Sequence, residues 1–409
     1  MIPISVLALA VGLLQAFLLG CLLYQLFWAL ASLLPRSSPP PAEPPHLRFA
    51  VAIPAHDESL VLPATLARLK EQSYPSSFVD IHVVADYCTD DTAQVTSVAG
   101  AIAHERNEGP TGRKAYPLQW LVQRLLEHEP PYHAIAVFDA DSLVDADFLS
   151  IVERHLRCGR QVVQGQHVIQ NAHDSRVSAM AAVDMRLNNR LRNLGRSNLG
   201  FACRLMGDAM VFDTQVLRER GWPTATFNED REFGYELLLR GVRAYYVPEA
   251  LSYGQAASSW HQAEPQRLRW YRQVPAMQRR LAWPLIAASL RSRSLALLDG
   301  AIELLMPPYS MLTTLAALNL AATLVLSVWL PAGLGWLGVW GSACLLAGWT
   351  LYPVLGLVLD RAPRWAFRAL LLGPVYLLWR LWIALLVRVR GDRIAWQRTQ
   401  RREETNAPR

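Results

Sequence analysis

The sequence predicts a mostly parallel α/β domain set between membrane helices, and three observations lead there. Hydrophobic residues make up 52% of the 409, more than one soluble domain of this length needs. The excess is concentrated: residues 2–34 carry no charge, and 309–330 and 337–359 repeat the pattern, each long enough to cross a bilayer as a helix. Between these segments, short apolar runs of strand character alternate with helical patterns.

Taken in order, residues 1–34 read as an N-terminal membrane helix. Ala29-Leu30-Ala31 has the small residues of a peptidase site, but the apolar run is about twice the usual ~7–15 residues and has no basic flank, so it reads as an uncleaved anchor. The proline-dense stretch 35–45 forces an extended linker and marks a domain boundary. In the soluble part, 46–278, strands are expected at 48–53, 80–85 and 134–138, and helices at 59–72 and 114–127, with another starting near Asp145. Alternation of this kind gives a sheet covered on both faces, with its ligand site at the strand ends.

Residues 279–294 mix arginines with Leu281, Trp283, Leu285 and Ile286 and read as an interfacial helix within a segment, 279–308, that closes at Met306-Pro307-Pro308. Segment 309–389 then holds the C-terminal membrane region and 390–409 a basic tail. The 330–335 loop is uncharged while Arg361, Arg364 and Arg368 follow the second span, which places the first loop outside and the second inside. The stretch 366–387 contains Gly373-Pro374 and Arg380, so it is expected to dip into the bilayer and return, with Arg380 facing a polymer or lipid path. No internal repeat is found.

Five scattered cysteines without a C-x-x-C pair exclude a disulfide framework and a zinc site, and fit a reducing cytosol. Much of the net charge of +6 lies in Arg388, Arg390, Arg393, Arg398, Arg401 and Arg402, beside apolar segments, which suits anionic lipid rather than nucleic acid.

Three successive strands finish in acidic clusters: Pro54-Ala55-His56-Asp57-Glu58, then Asp86 through Asp91, then Asp139-Ala140-Asp141. Turn chemistry would account for any one of them. Facing one crevice, they could hydrogen-bond a base and ribose and share a hard divalent cation at Asp139 and Asp141. Gly109-Pro110-Thr111-Gly112 is too short for a phosphate loop, which leaves Lys114 and the metal to meet phosphate charge. Downstream, Asp230 near the start of a helix beginning at Phe227 is a candidate general base, although the helix dipole alone also favours acids there. Gln266, Arg269 and Trp270 share one helix face by the i, i+3, i+4 rule, where a guanidinium and a ring could steady a leaving diphosphate and wall a sugar pocket.

This series, from Pro54-Ala55-His56-Asp57-Glu58 through Asp86, Asp139-Ala140-Asp141 and Glu229-Asp230 to Gln266-Arg267-Leu268-Arg269-Trp270, resembles the membrane-embedded family 2 glycosyltransferases, among them cellulose, hyaluronan, chitin and poly-N-acetylglucosamine synthases. The resemblance implies a Rossmann-like GT-A fold and a nucleotide-sugar donor held by Ala55, His56, Glu58, Asp86, Lys114, Asp139, Gln266, Arg269 and Trp270. It implies Mg or Mn on Asp139 and Asp141, Asp230 as base, and an acceptor near Gly207, Asp208, Glu229 and Trp270. Asn228 stands where the family has Thr, Met206-Gly207-Asp208-Ala209 where cellulose synthase has Cys-Gly-Ser, and no Phe-x-Val-Thr motif follows Ser294. Trp396-Gln397-Arg398-Thr399 is only loosely like the end of hyaluronan synthases.

The expected activity is inverting transfer from a nucleotide-sugar, a UDP-sugar first, to a growing polysaccharide. The alternative is single addition to a membrane lipid, and the distant alternative a non-catalytic scaffold. The expected location is a multi-pass inner-membrane protein with its catalytic domain cytosolic. Nucleic acid is excluded as a partner, and the need for an accessory protein is left open.

Overall fold

A computed structural model describes residues 3–35, 43–224 and 228–390. Strands are β1 (Phe49–Ala55), β2 (Val79–Asp86), β3 (Ile102–Arg106), β4 (Ala134–Val137), β5 (Leu143–Val144), β6 (Val162–Ile169), β7 (Met210–Asp213) and β8 (Ala244–Gly254). Helices begin with α1 (Ile4–Ala31), α2 (Leu62–Lys70), α3 (Thr92–Val98), α4 (Ala115–Leu126), α5 (Phe148–Arg157) and α6 (Arg176–Leu187). A π-helical stretch, Asn188–Leu194, joins α6 to α7 (Gly195–Asn198). Then follow α8 (Thr214–Arg220), α9 (Glu229–Leu239), α10 (Trp260–Ser292), α11 (Leu295–Leu305), α12 (Tyr309–Leu326), α13 (Ala332–Leu359), α14 (Arg364–Ala369) and α15 (Gly373–Arg390).

The strands form one sheet in the order β3-β2-β1-β4-β7-β6-β8-β5. Phe49 to Ile53 of β1 are fully buried, because a central parallel strand is covered on both faces and so reads as a continuous apolar run. On one face Leu118, Leu121 and Leu125 of α4 pack with Phe212, Trp222 and Phe233. On the other, Leu62 and Leu66 of α2 pack with Phe138, Phe148 and Leu149. The expected strands at 48–53, 80–85 and 134–138 are present with ends shifted by one or two residues. The helix expected near Asp145 starts at Phe148, after the two-residue β5. The sheet is mixed: β7 runs antiparallel to β4 and β6, and β5 to β8, while the remaining pairings are parallel.

A boundary was expected at 278/279, but α10 runs unbroken through it, despite Pro265, Pro275 and Pro284 inside. Each proline forfeits a helical hydrogen bond. Met277, Leu281 and Leu285, packed on α9 and α11, hold the helix together regardless.

Four helical segments are long and apolar enough to cross a membrane: Ile4–Ala31, Tyr309–Leu326, Ala332–Leu359 and Arg364–Val389. Leu18, Leu312 and Trp349 fill the core between α1, α12 and α13. Asn319 donates to the Val11 carbonyl at 3.0 Å and accepts from Ser342 at 2.6 Å, so these polar side chains satisfy each other inside the bundle. Gln15 lies against Gly341 and Leu22 against Gly348, which makes α1 and α13 parallel, with Ser32 and Asp360 at the same end.

The stretch expected to dip and return does not reverse. It is helical without reversal, one 3-10 turn at Leu370–Leu372 absorbing Gly373-Pro374. It lies along the domain: Ala366 packs on Val183, Tyr376 and Trp379 on Trp260, and Ile383 and Leu386 on Leu268. Arg380 faces no open path; Asp184 accepts from it at 3.2 Å and Tyr271 at 2.8 Å. Leu371, Leu378 and Leu385 line the exposed side. The tail beyond Arg390, Phe227 and most of the proline-rich linker lie outside the described residues.

The π-helix and α7 dock on the end of α1 so closely that a Cβ on Gly195 would collide with the Trp28 carbonyl. Gly195→Ala is therefore expected to cost about 1–3 kcal/mol, as overpacking does elsewhere. An unchanged melting temperature of the detergent-solubilised protein would sink this account of the seam.

Candidate active site

The strand ends converge as the sheet order requires. Parallel β2 and β3 set Asp86 opposite Arg106, and the guanidinium donates to the buried Asp86 carboxylate. The Asp86 carbonyl lies 2.6 Å from His56 Nδ1, so the ends of β1 and β2 are tied together. Asp57 and Tyr87 both adopt positive φ there, a costly conformation for non-glycine residues that marks a sharply shaped rim. Ala55 is buried at the end of β1, and the Glu58 N–H donates to Thr92 Oγ1 at 2.9 Å. In this region Asp57, Cys88 and Asp90 bring three possible ligand atoms within 4.8 Å of one another. Loop bracing explains it: Asp57 accepts from the Thr89 N–H at 2.6 Å and Asp90 from the Ser59 N–H at 3.0 Å.

At the end of β4, Lys114, the residue preceding α4, donates to Asp139 and to the Gly207 carbonyl. Burial works against the lysine charge, yet Asp139, Glu229 and Asp208 outweigh it and raise its pKa. The Asp139 side chain remains 43% exposed, and Asp141 is half-buried one residue beyond a buried Ala140. Two hard carboxylates at one strand end suit a divalent cation with several non-protein ligands.

Asp208, expected beside the acceptor, has another task. It is 3% exposed and both its oxygens are engaged: one accepts from the Asp139 N–H at 3.0 Å and Ser142 at 2.6 Å, the other from Ser252 at 2.6 Å and His167 Nδ1 at 2.7 Å. Burial would raise its pKa, but His167 and the two hydroxyls hold it well below the usual carboxylate range. Gly207 and Ala209 on either side have positive φ, and a Cβ on Gly207 would stand 3.2 Å from Asp230 Oδ2. Gly207 thus admits the α9 carboxylate to the cleft.

Helix α9 begins with Glu229 and Asp230, held by Asn228, whose amide donates to the Trp270 carbonyl at 2.9 Å. This bond fixes the start of α9 on α10. Burial, and then Asp230, push Glu229 up to about 8. Burial also raises Asp230, against the Arg231 N–H, Lys114 and Arg204. Arg269 comes from α10; burial lowers its pKa, with Glu229, Asp139 and Asp230 opposing. Its Nε is buried without a hydrogen-bond partner. Gln266 is half-buried on the same face, and Trp270 is 36% exposed with Arg267 stacked 4.9 Å from its ring centroid.

Lys114, Asp139, Glu229, Asp230 and Arg269 therefore share one electrostatic neighbourhood, while Ala55, His56, Glu58 and Asp86 form the adjoining rim. Sequence reading missed Arg106, His167, Ser142, Ser252 and Arg204. The polar Ser142 directly after Asp141 was a usable signal; His167 and Ser252 have none, because only strand register brings them to Asp208.

Residues 44–273 match the model of the glycosyltransferase-like family 2. The chain belongs to this family. Among solved structures, the mannosyltransferase PcManGT from Pyrobaculum calidifontis in complex with GDP-Man and Mn2+ is 18% identical over 88% of this chain and 99% of its own, with a TM-score of 0.56. S. aureus TarS 1-349 in complex with UDP-GlcNAc is 14% identical over 78% of this chain and 93% of its own, with a TM-score of 0.46. No curated protein matches the chain. The first likeness, with the family match, makes the fold GT-A: a Rossmann-like sheet flanked by apolar helices.

Two outcomes follow from these geometries. Removing a buried carboxylate that serves a histidine and two hydroxyls leaves them unpaired, so Asp208→Ala should cost roughly 3–5 kcal/mol in denaturant titration. Glu229 holds a proton in the fold up to about pH 8 that it releases near 4.3 when unfolded. The folded state thus binds more protons in this window, and stability falls as pH rises through it, by at most about 1.4 kcal/mol per unit. Glu229→Gln should flatten the decline in melting temperature of metal-free protein between pH 5 and 8; a parallel decline would refute the assignment.

Proposed function

We propose that this family 2 glycosyltransferase moves a sugar from a nucleotide-sugar to an acceptor hydroxyl at the membrane surface, with inversion. The observation that carries the reading is the gathering of Lys114, Asp139 and Arg269 with Glu229 and Asp230 in one half-buried cleft. Cations there oppose charge developing on a departing diphosphate, and a raised carboxylate suits proton abstraction. Asp230 is the general base, with its Oδ2 over Gly207. Glu229, protonated at neutral pH, donates a hydrogen bond to the acceptor instead of competing for its proton. Asp139 and Asp141 would hold Mg or Mn, which when bound neutralises diphosphate charge. Asp86, His56, Ala55 and Glu58 receive the nucleoside, and Gln266 and Trp270 wall the sugar.

For the acceptor, the reading favoured by the packing is a lipid-borne one. Leu268, on the side of α10 turned away from Gln266, Arg269 and Trp270, packs on Ile383 and Leu386, so α10 carries the site on one side and a segment with an exposed apolar surface on the other. Asp184 also ties α10 to α15, through Arg267 at 3.4 Å and Arg380 at 3.2 Å. The second reading, extension of a polysaccharide, rests on Gln266, Arg269 and Trp270 sharing one face. Cytosolic placement of the domain follows from the uncharged 330–335 loop and the basic one after α13.

The deciding experiment supplies the purified protein with a panel of UDP- and GDP-sugars and Mg or Mn, measures nucleoside diphosphate release, and sizes the product. A lipid-linked product of one added sugar supports the reading; a high-mass product moves the assignment to the synthase. Asp230→Asn should lower turnover by about 10³-fold or more with donor affinity nearly unchanged. Wild-type turnover in that variant would remove Asp230 as base.

A further inference from the structure

A cavity of about 260 Å³ lies where the inner ends of α1 and α13 meet the π-helix, lined by Ser32, Leu34, Asn189, Arg190, Asn198 and Asp360 among others. It shares no lining residue with the cleft of Lys114, Asp139, Glu229, Asp230 and Arg269. One water takes about 30 Å³ of liquid volume, so this space holds a small polar group rather than a single water. Two of its lining residues, Asn189 and Asn198, carry side-chain Oδ1 acceptors that are buried with no hydrogen-bond partner, and Asn189 is only 4% exposed. Their amide nitrogens are already committed, Asn189 to the His167 carbonyl at 3.2 Å and Asn198 to the Leu34 carbonyl at 3.0 Å, so neither amide can turn without breaking a bond. Buried acceptors left in this way call for a donor. Asp360, held by Arg186 at 2.6 Å, adds an anionic wall, and Arg190 a guanidinium.

We propose that this cavity binds the headgroup of a membrane phospholipid that carries a protonated amine, a phosphoethanolamine. The phosphate meets Arg190, and the ammonium donates to Asn189 Oδ1 and Asn198 Oδ1 near Asp360. The location fits, because the parallel α1 and α13 end at one level, with Ser32 and Asp360 where a span meets headgroups. The half-exposed Leu34 borders the cavity just past the end of α1. The inference rests on α1 and α13 spanning the bilayer and not on the transferase reading. A headgroup there would wedge the α1–α13 pair to the π-helix and so to the sheet edge at β6 and β8.

The test is native mass spectrometry of the full chain released from nanodiscs of mixed phosphatidylethanolamine and phosphatidylcholine. The two lipids share a phosphate, but choline has no N–H to donate. One retained phosphatidylethanolamine per chain, at least about fivefold over phosphatidylcholine, is expected. Arg190→Gln should lower retention about tenfold. Leu34→Trp, which fills the cavity and removes no hydrogen bond, should abolish it while leaving sugar-donor turnover in detergent intact. Equal retention of both lipids, or retention unchanged in Leu34→Trp, overturns the proposal. So does soluble phosphoethanolamine stabilising the detergent-purified protein as strongly as the lipid does, since the ligand would then be a free metabolite-sized group.

Discussion

Asp208 carries its charge in the interior, and much of the site is arranged to let it do so. An isolated buried carboxylate would simply take up a proton. Here β4 and β7 are antiparallel, with Val137 opposite Met210, so the turn that leaves β4 meets the residues that enter β7. β6 and β8 are parallel with His167 beside Ser252, which brings both to one Asp208 oxygen. Four strands thus contribute a donor or the acceptor to a single node, and the Asp139 N–H is one of the donors. The Asp139–Asp141 turn owes its position to this node rather than to its own sequence. Exchange of Asp208 for a neutral residue reaches the proposed metal site without touching it.

The charges in front of that node are graded rather than simply paired. Lys114 bonds Asp139 yet is influenced by Glu229 too, and Arg269 faces three carboxylates with one nitrogen unpaired. Without a donor bound, the carboxylates outnumber the cations, and Glu229 answers by keeping its proton. A bound diphosphate and its cation alter this balance, and the residue poised to respond is Glu229. Asp230 differs from it by facing the Gly207 gap, so two neighbouring acids on one helix sit in different surroundings, as the roles proposed for them require.

What was legible in the sequence was local. The β1, β2 and β4 runs, the acidic strand ends and the uncharged spans each carry their signal within a few residues, and all are present. What was not legible depends on register or on long-range packing. Asp208 looked like a second acid beside an acceptor because nothing in its neighbourhood announces His167 or Ser252. A boundary was expected at 278/279, but α10 runs through it, and packing on α9 and α11 outweighs the hydrogen bonds that Pro275 and Pro284 forfeit. Gly373-Pro374 suggested a reversal; contacts with α6 and α10 along the whole segment keep it helical and on the domain. In each case local preference was a weaker term than burial of an apolar face.

The same packing makes the apolar helices part of the frame around the proposed site. Arg196 bonds Asp299 of α11 at 2.8 Å and Tyr24 of α1 at 2.8 Å, a buried cluster at the membrane face. Next to Asp230, Arg231 reaches Glu303 of α11 at 3.6 Å, and Tyr235 donates to the same carboxylate. Helix α9 therefore holds Asp230, the proposed base, at one end of a run of polar contacts whose other end is α1. Buried pairs of this kind contribute little net stability but are costly to break, so they act as joints of fixed length. A chain cut at residue 46 would lose Tyr24, the α1 end of this run, while Arg231, Tyr235 and Glu303 remain to set α9 against α11. The apolar segments are for this reason more than tethers: through α11 the bilayer-side helices bear on the position of Asp230.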